Sequence, residues 1–83
     1  METTTTGITV NGQARGVPEP ATVLALVAET TGRSLAPDGR PADGGRLGVA
    51  VALNSAVVPR GLWGATALAA GDAVELVTAM QGG

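Results

Sequence analysis

One stretch of the 83-residue chain, residues 22–31, repeats its apolar residues at the spacing of an α-helix. The stripe consists of Val23, Leu24, Leu26, Val27, Ala28 and Thr30. Thr22 is a typical N-cap residue, and Gly32 suits the left-handed conformation in which helices commonly end. Because a single helix covers only one face of a sheet, and the other periodic segments are strand-like, the pattern predicts an α+β fold with the helix packed on one face.

The remaining regular segments have the alternation and the turn residues of β-strands. Residues 7–17 centre on Asn11-Gly12, a pair that favours a two-residue hairpin turn because both turn positions need positive φ. Such a loop would pair Val10 with Gln13, so a longer loop or a position at the sheet rim stays open. Residues 48–54 and 72–80 are two further strands, and residues 56–58 form a short strand that Pro59 ends. Together these segments predict a mixed sheet of four or five strands.

Alternation also predicts which strand residues face the helix. One side of the two long strands carries Val49, Val51, Leu53, Val74 and Leu76. The other side carries Ala50, Ala52, Ala73, Glu75 and Val77. A surface so poor in charge is either a thin, tolerated exterior or a docking patch for a partner, and the sequence leaves both interpretations open.

Composition separates a domain from its irregular segments. Residues 7–80 form the domain, residues 1–6 are a threonine-rich flexible lead, and residues 81–83 are a flexible tail. Residues 34–47 are rich in Gly, Pro and Asp, which predicts a solvated loop insertion. We expect Trp63, the single aromatic residue, in the core or at its rim, Arg60 at the surface, and Asp72 in the turn before the last strand.

Three of the residue types that the chain lacks exclude several kinds of function. The chain has no cysteine, no histidine and no lysine. Disulfides, thiolate metal sites, a histidine general base and a lysine-borne lipoyl or biotin group are therefore excluded. The net charge of −2 argues against nucleic-acid binding. The first residues do not have the pattern of a secretory signal, and no apolar run approaches the ~20 residues of a membrane span, so we expect a cytoplasmic protein with no membrane partner.

Four segments carry a resemblance to a known family. They are ITVNG at 8–12, TVLALV at 22–27, VALNSAVVPRGLW at 51–63 and LAAGDAVELVTAMQGG at 68–83. In these segments the chain resembles the bacterial sulfur carrier proteins of thiamine biosynthesis, the ThiS type, which have the ubiquitin-like β-grasp fold. The loop at 34–47 and the threonine-rich lead depart from the family pattern.

The resemblance implies that the function resides in the C-terminal carboxylate. In this family a ubiquitin-activating-type adenylyltransferase uses ATP and Mg²⁺ to adenylate the last glycine, here Gly83. Sulfur from a persulfide donor then displaces AMP and leaves a thiocarboxylate, from which a thiazole synthase takes the sulfur. Gly82 and Gln81 would belong to the tail that enters the partner's active site. The two glycines have no Cβ, which makes the end of that tail thin. By this reading the chain itself has no catalytic residue, no metal and no bound cofactor.

The surface by which the carrier binds its partners is a separate question. Candidate docking residues are Ala50, Ala52, Val77, Leu62, Met80 and Arg60. Other identities also fit the pattern. They are the small subunit of molybdopterin synthase, a carrier for cysteine or another sulfur metabolite, and a non-catalytic β-grasp binding module.

Overall fold

The computed structural model describes residues 5–45 and 47–78, which form one mixed sheet with a single α-helix. The strands are β1 (Thr5–Val10), β2 (Gln13–Pro18), β3 (Val49–Leu53), β4 (Ala56–Val57) and β5 (Ala73–Thr78). Helix α1 spans Val23–Thr31, and a 3₁₀ helix spans Arg60–Ala65. The order of elements is the one that the sequence predicts, except for the 3₁₀ helix, which the turn-like composition of its segment conceals.

The first hairpin has the two-residue loop that Asn-Gly favours. Val10 pairs with Gln13, and the turn residues Asn11 and Gly12 have φ values of 50° and 83°. Both angles are positive, as a type I′ turn requires. The pair of unlike residues lies at the end of the hairpin, where Val10 is half-buried and Gln13 is exposed. The alternative of a longer loop is thereby excluded.

Helix α1 begins and ends as the sequence predicts. The Oγ1 of Thr22 accepts a hydrogen bond from the backbone N–H of Ala25 at 3.1 Å, which satisfies one of the free donors of the first turn. Gly32 ends the helix with φ 70°, a conformation that glycine adopts without steric cost. The buried face of the helix consists of Val23, Leu26 and Val27. Thr30, the last residue of the predicted stripe, is exposed.

The sheet order is β2-β1-β5-β3-β4, with β1 and β5 parallel and the other neighbours antiparallel. The predicted faces are confirmed. Val51, Val74 and Leu76 are buried among the helix residues, whereas Glu75 and Val77 are exposed on the opposite side. Trp63 is 1% exposed and belongs to the same core, so the core placement expected for it is also confirmed.

Residues 34–47 are only in part the solvated insertion that their composition predicts, because residues 37, 38 and 42–45 are exposed but others are buried. Leu47 and Pro41 are buried, and Leu35 packs against the core. Leu35 and Pro41 also form an isolated antiparallel bridge within the loop. Burial of three apolar side chains makes the loop part of the folded unit, because their removal would expose core surface to water.

Arg60 and Trp63 hold this loop against the rest of the domain. The guanidinium of Arg60 donates to the carbonyl oxygen of Leu47 and lies over the Trp63 ring, 5.4 Å from its centre. Trp63 in turn donates its indole N–H to the carbonyl oxygen of Val58 at 3.0 Å. Arg60 is therefore half-buried and engaged, rather than the simple surface charge that the sequence predicts.

Candidate functional site

The predicted site is the C-terminal segment, and the described residues include the strand that leads to it. Gln81, Gly82, Gly83 and the docking candidate Met80 lie outside the described residues. Strand β5 is the central strand of the sheet, with β1 on one side and β3 on the other. Its last residue, Thr78, still pairs with Val49. The end of the strand from which the tail continues is thus paired with β3.

The turn that precedes β5 is fixed by side chains. Asp72 accepts hydrogen bonds from the N–H of Ala69 at 2.8 Å and from the amide of Asn54 at 3.0 Å, which confirms its predicted place in the turn. The Oδ1 of Asn54 accepts from the N–H of Ala73 at 2.9 Å. These contacts hold the beginning of β5 to the β3–β4 turn.

A second asparagine contacts β5 near its other end. The Oδ1 of Asn11 accepts from the N–H of Leu76 at 2.9 Å, and its Nδ2 donates to the carbonyl oxygen of Leu76 at 3.2 Å. Sequence reasoning assigns Asn11 only to the hairpin turn. A contact between residues 65 positions apart leaves no periodic pattern in the sequence. The available signal is the carboxamide side chain at the end of a strand, which can hydrogen-bond to the backbone of a neighbouring strand.

The sheet surface opposite the helix is an apolar face, here called the outer face, made of Ala50, Ala52, Val57 and Val77. These residues, with Val51 and Glu75, line one shallow depression. Val77 is 64% exposed and Val57 is 77% exposed. The structure thus brings together three of the predicted docking residues, Ala50, Ala52 and Val77. It adds Val57, which pairs with Ala52 and so points to the same side.

The other docking candidates lie elsewhere. Leu62 is 53% exposed but belongs to the 3₁₀ helix, which contacts α1, and it does not line the outer depression. Arg60 is bound to Leu47 and Trp63, as described above. A docking role for Leu62 or Arg60 stays a prediction.

Comparison with known proteins decides the family. The family model described as the ThiS family matches residues 8–83, which includes both terminal glycines. The chain belongs to the ThiS family. No curated protein matches it. A crystal structure of the thiamine biosynthesis protein ThiS from Geobacter metallireducens is 32% identical, with a TM-score of 0.64. The match covers 93% of this chain and 99% of that one.

Membership of the ThiS family confirms the resemblance seen in the sequence. It also confirms the β-grasp fold and the prediction that the chain is a sulfur carrier of thiamine biosynthesis. Within residues 5–45 and 47–78, no helix is long and apolar enough to cross a membrane.

Proposed function

We propose that this ThiS-family chain carries sulfur as a thiocarboxylate on Gly83. A ubiquitin-activating-type adenylyltransferase joins the Gly83 carboxylate to the α-phosphate of ATP with Mg²⁺, and pyrophosphate leaves. The terminal sulfur of a persulfide attacks the carbonyl carbon, and AMP leaves. A thiol then cleaves the sulfur–sulfur bond, which reduces the acyl disulfide to the thiocarboxylate. A thiazole synthase consumes this sulfur. The observation that carries the proposal is the family match through Gly82 and Gly83.

The residue content of the chain supports a division of labour in which the partners supply all catalytic groups. The chain has no cysteine and no histidine. A cysteine near the tail could attack the activated glycine, so its absence protects the acyl adenylate. A carboxylate is a poor electrophile in water, and the mixed anhydride with AMP makes it reactive without any group of the carrier. We therefore propose a carrier that is not itself an enzyme.

The outer face supports a docking role in the same proposal. It presents Val57 and Val77 to solvent next to two alanines, with Glu75 as the charged residue that lines the depression. Small side chains let a partner approach the sheet closely and bury backbone and methyl groups together. We propose that the adenylyltransferase, and the thiazole synthase after it, bind this face while the tail enters the active site.

Intact mass spectrometry tests the proposal. The chain is incubated with the adenylyltransferase, ATP, Mg²⁺, a persulfide donor and a thiol, and exchange of one oxygen for sulfur raises its mass by about 16 Da. Deletion of Gly83, or addition of one alanine after it, should abolish pyrophosphate exchange and the mass increase. A chain without Thr3 is shorter by the same one residue and should react normally.

Two results would contradict the proposal. Normal pyrophosphate exchange by the chain without Gly83 would show that the carboxylate of the last glycine is not the reacting group. A full-length chain that binds the adenylyltransferase but gains no sulfur would favour the non-catalytic binding module.

A further inference from the structure

The carboxamide of Asn11 substitutes for a neighbouring strand at Leu76. It accepts from the Leu76 N–H at 2.9 Å and donates to the Leu76 carbonyl oxygen at 3.2 Å, so one side chain satisfies both backbone groups of that residue. A carboxamide has one acceptor and one donor in the same arrangement as a peptide group, which is why it can replace one.

The contact is made where the parallel pairing of β1 and β5 ends. Thr9 pairs with Ala73 and Val10 with Val74, and the N–H of Asn11 donates to the Val74 carbonyl at 2.9 Å. The chain then turns away into β2. The side chain of Asn11 therefore extends the ladder along β5 by one further step. Because alternate residues direct their backbone groups to the same edge, Thr78 is the next residue that faces this edge.

We infer that Asn11 is a positioning residue for the C-terminal carboxylate. This inference rests on the proposed function. Five residues, 79–83, separate Thr78 from the terminus, so they can extend no more than about 18 Å from it. Because this distance is short, the position of Thr78 limits where a bound partner can find the terminal carboxylate. By holding Leu76, Asn11 keeps the last residues of β5 in the sheet, and binding then has fewer residues to order.

The chain offers a matched control in Asn54. Asn11 and Asn54 are each the first residue of a two-residue hairpin turn, and each has φ 50°. Each carboxamide also makes two hydrogen bonds, but Asn54 contacts Ala73 and Asp72 at the beginning of β5, whereas Asn11 contacts Leu76 near its end. Glycine adopts this φ readily, so Asn11→Gly and Asn54→Gly remove equivalent carboxamides without straining either turn.

The experiment measures pyrophosphate exchange with the purified adenylyltransferase as a function of carrier concentration. For Asn11→Gly we expect KM for the carrier to rise about five- to tenfold while kcat stays within about twofold, because the seated tail is chemically unchanged. Val77 still pairs with Ala50 in this variant, so a complete loss is not expected. For Asn54→Gly, KM should stay within about twofold of the wild type.

Amide hydrogen exchange shows whether each variant loses the hydrogen bond that its asparagine makes to β5. Exchange of the Leu76 amide should accelerate in Asn11→Gly, and exchange of the Ala73 amide in Asn54→Gly. Asn11→Asp keeps the turn and the acceptor but loses the donor to Leu76, so its KM should lie between those of the wild type and Asn11→Gly. This variant also serves if Asn11→Gly does not fold.

Three outcomes would overturn the inference. The first is an equal rise of KM in the two glycine variants, which would indicate general loss of stability. The second is a fall in kcat at unchanged KM, and the third is a wild-type KM in Asn11→Asp and Asn11→Gly alike. A wild-type chain that supports no exchange at all would instead overturn the proposed function together with this inference.

Discussion

Gly39 packs directly on Arg60. A Cβ atom at position 39 would stand 2.9 Å from the carbonyl oxygen of Arg60 and 3.2 Å from Cε3 of Trp63. Gly39 is also buried and has φ +85°. The loop of residues 34–47 can therefore close on the 3₁₀ helix only because position 39 has no side chain.

This contact predicts a specific cost for Gly39→Ala. The substitution combines an unfavourable φ with a clash against backbone, and we expect it to lower the free energy of unfolding by about 2–4 kcal/mol. Gly44→Ala is the matched control, since Gly44 lies in the same loop with φ +79° and nothing within 4 Å of an added Cβ. It should cost only about 1 kcal/mol. Urea unfolding measures the free energy of unfolding of both variants. Equal losses would show that the close approach of Gly39 to Arg60 does not add to the cost of the alanine side chain.

Burial of Leu47 predicts that the loop stabilises the domain. Leu47 is 8% exposed, and Leu47→Ala should cost about 2–3 kcal/mol through lost burial and the cavity left behind. Leu62→Ala, at a residue 53% exposed, should cost less than about 1 kcal/mol. Replacing residues 34–47 with a short glycine linker should cost at least as much as Leu47→Ala. A change below about 1 kcal/mol, the scale of loop-closure entropy alone, would show that the loop is dispensable.

Local signals in the sequence predict the fold well. Thr22 and Gly32 delimit the helix, Asn11-Gly12 fixes the first hairpin, and alternation assigns Val51 and Val77 to opposite faces, all as the structure has them. Each of these signals acts within a few residues, where backbone preference and amphipathic spacing decide the conformation.

The contacts that the sequence does not reveal are those between distant segments. The composition of residues 34–47 is that of a solvated loop, because glycine and proline give the turns and apolar side chains such as Leu35, Pro41 and Leu47 are few. The loop contacts Arg60 and Trp63, which lie later in the chain, through the Leu47 carbonyl oxygen and through Gly39. The hydrogen bonds between Asn11 and Leu76 are hidden for the same reason. Tertiary contacts of this kind are set by geometry and leave no local pattern.

The environment of Asp43, in the same loop, predicts that the stability of the domain depends on pH. The backbone N–H of Gly45 and, after it, the guanidinium of Arg33 hold the pKa of the Asp43 carboxyl below its usual 3.8. Because the folded pKa is the lower one, the stabilisation is present above the unfolded pKa and is lost as the pH falls through the folded pKa. Asp43→Asn should therefore reduce the loss of stability on acidification below about pH 4.

Carboxyl-carbon NMR titration measures the pKa of Asp43 directly. Arg33→Gln should raise it part of the way towards its usual value, because the larger contribution, from the N–H of Gly45, is retained. Arg40→Gln is the control, since Arg40 contacts Asp38 at 3.8 Å instead. An unchanged Asp43 pKa in Arg33→Gln would show that the ion pair at 3.2 Å has no effect on this carboxyl in solution.

The exposure of Val77 on the outer face predicts that charged substitutions there weaken partner binding without changing the stability of the fold. The side chain is 64% exposed and pairs across the strand with Ala50, so Val77→Asp and Val77→Arg should change the free energy of unfolding by less than about 1 kcal/mol. Both should weaken binding to the adenylyltransferase by about 1–3 kcal/mol, because each buries a charge without a partner. Val74→Asp, at a residue 1% exposed on the opposite face, should unfold the domain.

Using charges of both signs distinguishes burial from electrostatics. Val77→Asp adds a second negative charge beside Glu75, whereas Val77→Arg adds an opposite one, so an equal loss of affinity in both indicates that the position is buried in the complex. A loss in Val77→Asp alone would indicate repulsion by an acidic partner surface. Leu62→Asp tests the exposed side chain of the 3₁₀ helix in the same assay. If Leu62→Asp weakens binding and neither Val77 variant does, the partner binds the 3₁₀ helix, and the outer face is only an exposed surface.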